Sequence, residues 1–227
     1  MAKGPVRILL IGSRGRMGRT IAAVAKRDSN VEISAEADQG DSIEAGMETC
    51  DVVIDFSAAS AVEEICRLAS QYRRPLVIGT TGHSAEQKKC IETAVSVIPI
   101  VFASNFSLGV NALFWLSDRA AKLLGDSFQA EIVETHHVTK KDAPSGTAKT
   151  LAEILKMQKG KEIPVRSIRE GEVVGEHSVI FSGTGERLEL THRAQSRETF
   201  ATGALAAAQW VVGKPARLYT MRDVLGL

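Results

Sequence analysis

The sequence has few cysteines, no excess of either charge and no long apolar run. Its three cysteines are Cys50, Cys66 and Cys90 among 227 residues, and none belongs to a C-x-x-C pair. An odd number of isolated cysteines argues against a disulfide framework. We therefore expect inert thiols in a reducing compartment.

The charge balance excludes a second class of protein. Lys and Arg total 28, whereas Asp and Glu total 27. Proteins that bind nucleic acids or other polyanions usually have a distinctly basic composition. We expect no nucleic-acid partner, and any attraction for anions must come from a few placed residues.

Apolar runs are too short for a membrane segment. The run Val6–Ile11 has six residues, contains Arg7 and leads directly into glycines. A secretory signal has a longer apolar region, and a membrane span needs roughly 20 apolar residues. The sequence thus predicts a soluble, cytoplasmic protein without a membrane partner.

The first hundred residues alternate short apolar runs with helical patterns. Helices are expected over 16–27, from a Ser57 cap to about Tyr72, and after a capping box formed by Ser84 and Gln87. Strands are expected over 6–11, 31–35, 52–55, 76–78 and 100–103. Strands separated by helices indicate parallel βαβ units, and hence a Rossmann-like, doubly wound sheet in an α/β fold.

The pattern changes near Ser104, where we place a domain boundary. Helices are expected over 110–124, 147–156 and 199–212. Strands dominate between them, over 129–138, 165–168, 176–182 and 186–193. The last two strands flank Gly183-Thr184-Gly185, which is typical of a hairpin. The pattern predicts a second, α+β domain with a mostly open mixed sheet.

A glycine-rich loop follows the first strand. Gly12-Ser13-Arg14-Gly15-Arg16-Met17-Gly18 has the spacing G-x-x-G-x-x-G and opens the first helix. A dinucleotide site needs a tight turn and a helix N-terminus close to the pyrophosphate. Asp38 lies twenty residues after Gly18, where an acid accepts hydrogen bonds from a ribose. An ordinary strand–turn–helix connection is the alternative, but the combination favours a cofactor site.

Two further segments follow predicted strands. Gly79-Thr80-Thr81 ends the fourth strand, and Ala103-Ser104-Asn105-Phe106 ends the fifth. Ligands of open parallel sheets bind outside the carboxyl ends of the strands. Both segments could line a nicotinamide pocket, although ordinary turn chemistry is an alternative for either one alone.

The run His136-His137-Val138-Thr139-Lys140 is followed at once by Lys141-Asp142-Ala143-Pro144-Ser145-Gly146-Thr147. Imidazoles and amines transfer protons near neutral pH, and a helix N-terminus offers N–H groups to an anion. This indicates an enzyme that acts on a carboxylate or a phosphate. His136 and Lys140 have the same parity and would share a face if the strand continued that far. No third ligand is evident nearby, so no metal is expected.

Together these motifs resemble the 4-hydroxy-tetrahydrodipicolinate (dihydrodipicolinate) reductase family over the whole chain. The H-H-x-x-K-x-D-A-P-S-G-T run is highly specific, whereas many dehydrogenases share the glycine loop. Further matching segments are Asp55-Phe56-Ser57, Val77 to Gly82, Ala103 to Asn111, Gly175-Glu176-His177, Gly185 to Glu189, Thr191 to Ala194 with Arg197, and Met221 to Leu225.

The resemblance implies hydride transfer from NADH or NADPH to a small unsaturated cyclic dicarboxylate. It implies that His136 is a proton donor or acceptor, that Lys140 is a proton donor, and that His137 contacts the substrate. Ser145, Gly146 and Thr147 match the site of the substrate carboxylate. The resemblance also implies a homotetramer with a dinucleotide-binding domain (1–104), a substrate-binding and oligomerisation domain (105–198), and a C-terminal helix and tail (199–227) that return to the first domain.

Cofactor preference and two rival functions stay open at this point. Gln39 follows Asp38 where relatives that accept NADPH often have a basic residue, so we expect NADH to be preferred, although Arg14 or Arg16 could pair with the 2′-phosphate. The rivals are another two-domain reductase, such as an amino-acid dehydrogenase, and a nicotinamide redox sensor without turnover. His83, His177 and His192 are not assigned a role.

Overall fold

The computed structural model describes residues 4–227, which form two compact units. The first unit contains the described residues up to Phe106 together with Phe200–Leu227, and the second contains Ser107–Thr199. The chain thus leaves the first unit after Phe106, against a predicted boundary near residue 104, and re-enters it at Phe200.

The first unit is built on a parallel sheet. Its strand order among the described residues is β10-β5-β4-β3-β1-β2. The strands are β1 (Val6–Ile11), β2 (Val31–Ala37), β3 (Val52–Asp55), β4 (Leu76–Ile78), β5 (Ile100–Phe102) and β10 (Leu218–Tyr219), and every pair is parallel. The central strands β3 and β4 are buried along their whole length, because helices cover such a sheet on both faces. This confirms the doubly wound sheet.

Helices of the first unit follow the predicted pattern in part. They are α1 (Arg16–Ala25), α2 (Glu44–Thr49), α3 (Val62–Gln71), α4 (Ala85–Ala94), all but the first two residues of α7 (Glu198–Val211), and α8 (Met221–Leu225). The capping box of Ser84 and Gln87 is confirmed at the start of α4. The predicted Ser57 cap is wrong, because the Ser57 hydroxyl donates to Asp55 Oδ1 at 2.5 Å and a 3₁₀ turn precedes α3.

The second unit contains a mixed sheet of strand order β7-β6-β8-β9. These strands are β6 (Gln129–His136), β7 (Val165–Arg169), β8 (Gly175–Gly183) and β9 (Glu186–Ala194). β7 runs parallel to β6, whereas the other two pairs are antiparallel. The predicted hairpin is confirmed: Gly183 pairs with Glu186, and Gly185 has a φ of +82°, which glycine adopts without strain.

Two helices cover one face of this sheet. Leu113 of α5 (Leu108–Leu124) and Leu151 of α6 (Gly146–Lys159) pack with Ile132, Val179 and Phe181 in one buried cluster. The α+β prediction is confirmed by this arrangement.

β6 ends at His136, two residues before its predicted end. The chain then turns, with the amide of Lys140 donating to the His137 carbonyl at 3.1 Å. The strand therefore does not reach Lys140, which lies in a loop, and the condition for a strand face shared with His136 is not met.

The three cysteines and the helices also test the predictions about disulfides and membrane segments. Cys50 and Cys66 are buried, Cys90 is half-buried, and all three are free thiols, which confirms that they form no disulfide. Between residues 4 and 227, no helix combines the length and the apolar character that crossing a membrane requires.

Candidate active site

The conformation of the loop between β1 and α1 requires glycine at positions 12 and 18. Gly12 has a φ of +83°, and a Cβ there would lie 2.5 Å from the Phe56 carbonyl oxygen. A Cβ at Gly18 would lie 2.1 Å from the Gly12 carbonyl oxygen. The N-terminus of α1, capped by Gly15, is thereby drawn close to the loop. A glycine loop at a helix N-terminus is the kind of structure that can hold a pyrophosphate.

Asp38 follows β2 beside this loop. Its carboxylate accepts the backbone N–H groups of Gln39 and Arg14, each at 2.8 Å. These two hydrogen bonds hold the pKa of Asp38 below its ordinary value, and the bond from Gln39 has the larger effect. An anionic carboxylate therefore stands at a cavity of about 440 Å³ that is also lined by Gly12, Gly15 and Ser57.

Arg14 and Arg16 differ in their surroundings. The Arg14 guanidinium forms an ion pair with Asp41, with Nη2 and Oδ2 2.9 Å apart. The same Asp41 oxygen accepts the Asp38 amide at 3.0 Å. Arg16 is exposed and Met17 half-buried in the first turn of α1, whereas Ser13 is buried. Asp41 was not among the predicted site residues.

The segment after β4 is shaped by an aromatic ring. A Cβ on Gly79 would lie 2.2 Å from Cζ of Phe56, so a larger residue at position 79 would require this ring to shift. Thr80 is buried and its hydroxyl donates to the Asp55 carbonyl at 3.5 Å, while Thr81 is exposed.

After β5, Phe106 has its ring buried at 5.7 Å from that of Phe56. The Phe106 side chain therefore belongs to the core. Ala103 and Asn105 are half-buried and Ser104 is exposed.

In the second unit, Glu134 and His136 lie on the same face of β6. Glu134 is fully buried, and its Oε2 is hydrogen-bonded to Nδ1 of His136. Burial lowers the pKa of His136 below its ordinary value, and Glu134 opposes that effect. The pair is a carboxylate-braced imidazole, the usual arrangement for fixing which ring nitrogen carries a proton.

Arg169 balances the buried carboxylate. Its Nη2 lies 2.9 Å from Oε1 of Glu134, and the same oxygen accepts the Ser145 amide at 3.3 Å. Burial alone would raise the pKa of Glu134, but hydrogen bonds from Arg169, Ser167 and His136 hold it below its ordinary value. Glu134 is therefore ionised at neutral pH.

His177 lies opposite Glu134 on β8, with its ring centroid 5.1 Å from that of His136. Burial, and then the neighbouring His136, lower the pKa of His177 to about 4. Its Nε2 lies 3.1 Å from the Ser145 hydroxyl, which also caps α6 by accepting the Ala148 amide at 3.2 Å. The Ser145 hydroxyl is thus already engaged with protein groups.

The remaining candidates lie beside this cluster in the chain. Lys140 Nζ pairs with Asp142 Oδ1 at 2.8 Å, which lowers the pKa of Asp142. His137 is half-buried, with Nδ1 2.7 Å from the Thr139 hydroxyl. Gly146 and Thr147 form the first turn of α6. A Cβ on Gly146 would meet nothing within 4 Å, so the space in front of its backbone is open.

Asp142 lies in the run that resembles the family, and Glu134 lies two residues before His136, but the sequence assigned no role to either of them or to Arg169. The alternation of a strand could have indicated Glu134, because residues two apart lie on one face. Arg169 is set beside His136 by the register of β6 with β7, which no local pattern reveals.

Ligand atoms of Glu134, His136 and His177 lie within 4.8 Å of one another and are all buried. The carboxylate oxygens already bind His136, Arg169 and the Ser145 amide. A guanidinium in this position opposes a second cation, so the arrangement favours a proton network over a metal centre.

His83 and His192 lie outside the cluster. His192 has its Nε2 3.3 Å from the Ser107 hydroxyl, and a Cβ on Gly109 would lie 2.7 Å from its ring. His83 is buried edge-on to Phe102 in the first unit.

Two family models together match almost the whole chain. Residues 6–106 match the model described as dihydrodipicolinate reductase, N-terminus, and residues 109–225 match dihydrodipicolinate reductase, C-terminus. A 4-hydroxy-tetrahydrodipicolinate reductase of Akkermansia muciniphila is 46% identical over 98% of this chain and 98% of its own. One from Anaeromyxobacter sp. is 40% identical with the same coverage of both chains.

Solved structures share the fold. A dipicolinate-bound dihydrodipicolinate reductase from Paenisporosarcina sp. TG-14 has a TM-score of 0.82 at 23% identity, covering 96% of this chain and 98% of its own. A DAP dehydrogenase of C. glutamicum in complex with DAP has a TM-score of 0.61 at 11% identity, covering 96% and 93%. The sequence matches, which extend over both units, show that the chain belongs to the dihydrodipicolinate reductase family.

Proposed function

We propose that this chain converts 4-hydroxy-tetrahydrodipicolinate to tetrahydrodipicolinate with a nicotinamide cofactor, a step of lysine and diaminopimelate biosynthesis. The 4-hydroxyl group leaves as water, and a hydride and a proton are added. One observation carries the proposal: a buried imidazole braced by a carboxylate lies ten residues before a helix N-terminus in the chain and is tied to it through Glu134 and Ser145. The name carried by relatives at 46% and 40% identity supports the same reaction.

The first unit fits a dinucleotide. The glycines at 12 and 18 leave room where any Cβ would clash, and Asp38 is an anionic acceptor for ribose hydroxyls. The proposed contacts are Gly12, Ser13, Arg14, Gly15, Arg16, Met17, Asp38, Gly79, Thr80, Thr81, Ala103, Ser104, Asn105 and Phe106, of which Phe106 can contribute only its backbone. When bound, the cofactor supplies a hydride.

The second unit supplies the proton and holds the substrate. His136 donates a proton from Nε2, since Nδ1 is bound to Glu134. The Lys140 ammonium stabilises the negative charge that develops as hydride arrives, and can donate a proton. Gly146 and Thr147 offer backbone N–H groups of α6 to a carboxylate, with His137 as a further contact. Ser145 acts indirectly, by capping that helix.

We further propose that NADH is preferred over NADPH. Gln39 brings no charge, and the Arg14 guanidinium is paired with Asp41. A 2′-phosphate would meet two carboxylates, Asp38 and Asp41, and would have to compete for Arg14. Arg16, exposed in the first turn of α1, is the remaining candidate partner of the phosphate.

A coupled assay on freshly made substrate tests both proposals. Absorbance of the reduced cofactor should fall only when the substrate is added, with a lower Michaelis constant for NADH than for NADPH. Asp41→Asn should narrow that difference by releasing Arg14, whereas Asp51→Asn, which removes the partner of Arg7, serves as a matched control. Equal constants for both cofactors would contradict the preference, and turnover of an amino acid instead would indicate the rival dehydrogenase. Cofactor binding without any turnover would indicate a redox sensor.

A cytoplasmic homotetramer without a resident metal completes the proposal. Leu116 and Leu123 of α5 are 44% and 87% exposed, and Met157 of α6 is 75% exposed, as expected for side chains that a subunit contact would cover. Light scattering of the purified protein measures the subunit number, and elemental analysis measures the metal content.

A further inference from the structure

Glu134 is the centre of a hydrogen-bond network that reaches both proposed proton donors. One of its oxygens binds Nδ1 of His136, and the other accepts from Arg169 and from the Ser145 amide. With both oxygens engaged and no exposed surface, its position is determined by its partners. Removing a partner from a buried carboxylate is strongly destabilising, so the network holds together as a unit.

Arg169 extends this network to the segment that carries Lys140. Its Nε donates to the Lys140 carbonyl at 3.3 Å, and its Nη2 donates to the Asp142 carbonyl at 2.5 Å. Its Nη1 donates to the Ile168 carbonyl at 2.7 Å. A planar guanidinium can bind several acceptors in a fixed geometry, which a lysine ammonium cannot reproduce.

We propose that Glu134 and Arg169 are positioning residues for the two proton donors, an inference that rests on the proposed function. Glu134 accepts the Nδ1 proton of His136, so that Nε2 is the nitrogen that gains and loses the catalytic proton. Arg169 fixes Glu134 and anchors the backbone at Lys140 and at Asp142, two residues further on. One guanidinium therefore sets the distance between the two donors.

Glu134→Gln tests the first part with a defined change in tautomer. Arg169 and Ser145 both donate to Oε1 of Glu134, so the side-chain amide of the variant must turn its oxygen towards them. Its NH₂ group then faces Nδ1 of His136, which must become an acceptor and move the proton of the neutral ring to Nε2. We expect ¹⁵N spectra of histidine-labelled full-length protein to report Nδ1–H in the wild type and Nε2–H in the variant. His136→Gln identifies the signal.

Kinetics give a second measurement of the same variant. The groups facing His136 are Glu134, Lys140, Arg169 and His177, with Asp142 paired to Lys140. Losing the Glu134 carboxylate removes the pull that keeps His136 protonated, so the alkaline limb of kcat/KM should move to lower pH. We expect kcat to fall by at least about 10-fold, because the protonated imidazole that acts as the acid loses the carboxylate that stabilises it. The Michaelis constant for NADH should stay within about twofold.

Arg169→Lys tests the second part, because it keeps the charge and removes the multiple carbonyl bonds. We expect kcat to fall by at least about 10-fold with the Nδ1–H tautomer retained, since Glu134 stays charged. Glu189→Gln is the matched control for Glu134→Gln. Glu189 forms an exposed ion pair with Arg187 on β9, so this change should leave kcat unchanged.

The outcomes separate this inference from the proposed function. A wild-type protein without turnover contradicts the proposed function. The ¹⁵N spectra of His136 would still test whether Glu134 determines which ring nitrogen carries the proton. An active wild type together with Glu134→Gln of unchanged kcat, pH profile and tautomer overturns the inference. If Glu134→Gln fails to fold, Arg169→Lys decides, and normal kcat in that variant overturns the inference as well.

Discussion

A Cβ at position 18 would lie 2.1 Å from the carbonyl oxygen of Gly12. Alanine normally stabilises a helix relative to glycine by about 1 kcal/mol, but this contact reverses the sign. We expect Gly18→Ala to displace the loop and to weaken NADH binding by about 10-fold or more, as measured by fluorescence titration. Gly4→Ala, where nothing lies within 4 Å, should bind normally. Unchanged affinity in Gly18→Ala would exclude the loop as the pyrophosphate site.

Removing either proposed proton donor should lower the rate of the chemical step and leave cofactor binding unchanged. We expect His136→Gln and Lys140→Ala to lower kcat by about two or more orders of magnitude, because each removes an acid or a charge needed during hydride transfer. NADH affinity should stay within about twofold. Lys141→Ala, an exposed neighbour, is the control for the loss of a positive charge. Near-full activity in both variants would defeat these roles.

The low pKa of His177 predicts a loss of stability in acid. Its folded pKa of about 4 lies below the ordinary value of 6.5, so the unfolded chain takes up a proton that the folded chain does not. The contribution of His177 to the free energy of unfolding is therefore fully present above pH 6.5 and is lost as the pH decreases towards 4. The loss from this group is on the order of 3 kcal/mol. Urea unfolding at about pH 7 and about pH 4.5 measures the change.

His177→Gln supplies the comparison for that experiment. Other groups titrate in the same range, but they are common to both proteins, so the difference in slope belongs to His177. We expect the variant to lose less free energy of unfolding between the two pH values than the wild type. Identical losses would show that His177 is protonated in the folded state.

Ser145 should affect both stability and substrate binding. Ser145→Ala removes the cap of α6 and the partner of His177, so we expect a loss of about 1–3 kcal/mol in unfolding free energy. The Michaelis constant for the substrate should rise, because the first turn of α6 is loosened. Ser84→Ala removes the cap of α4 and should cost about 1 kcal/mol with an unchanged Michaelis constant. A higher Michaelis constant for the substrate in both Ser145→Ala and Ser84→Ala would argue against a specific role for α6.

Local sequence signals predicted some elements fully. β1 and β3 have the bounds expected from their apolar runs, because a buried parallel strand is apolar on both faces. α2 and β10 were not predicted, since six and two residues are too short for a periodic signal. The place of β10 at the sheet edge depends on pairing with β5, which is distant in the chain.

The candidate site also contains residues that local sequence indicated and residues that depend on tertiary contacts. His136 and the capped start of α6 are local features, and the sequence indicated both. The loop position of Lys140 was missed, because the end of β6 depends on contacts that are distant in the chain, such as the Val138 amide donating to the Gly171 carbonyl at 3.2 Å. Arg169 reaches Glu134 only once β7 has paired with β6, so its role depends on tertiary contacts.

The order of the chain has a consequence for synthesis. The first unit lacks β10, α8 and most of α7 until residues 200–227 have been translated. Gly203 must still approach the backbone of Phe106, and β10 must still extend the sheet beside β5. The second unit is continuous in sequence and can complete its hydrogen bonding earlier, on the ribosome. The first unit is thus the part of the chain that is synthesised first and completed last.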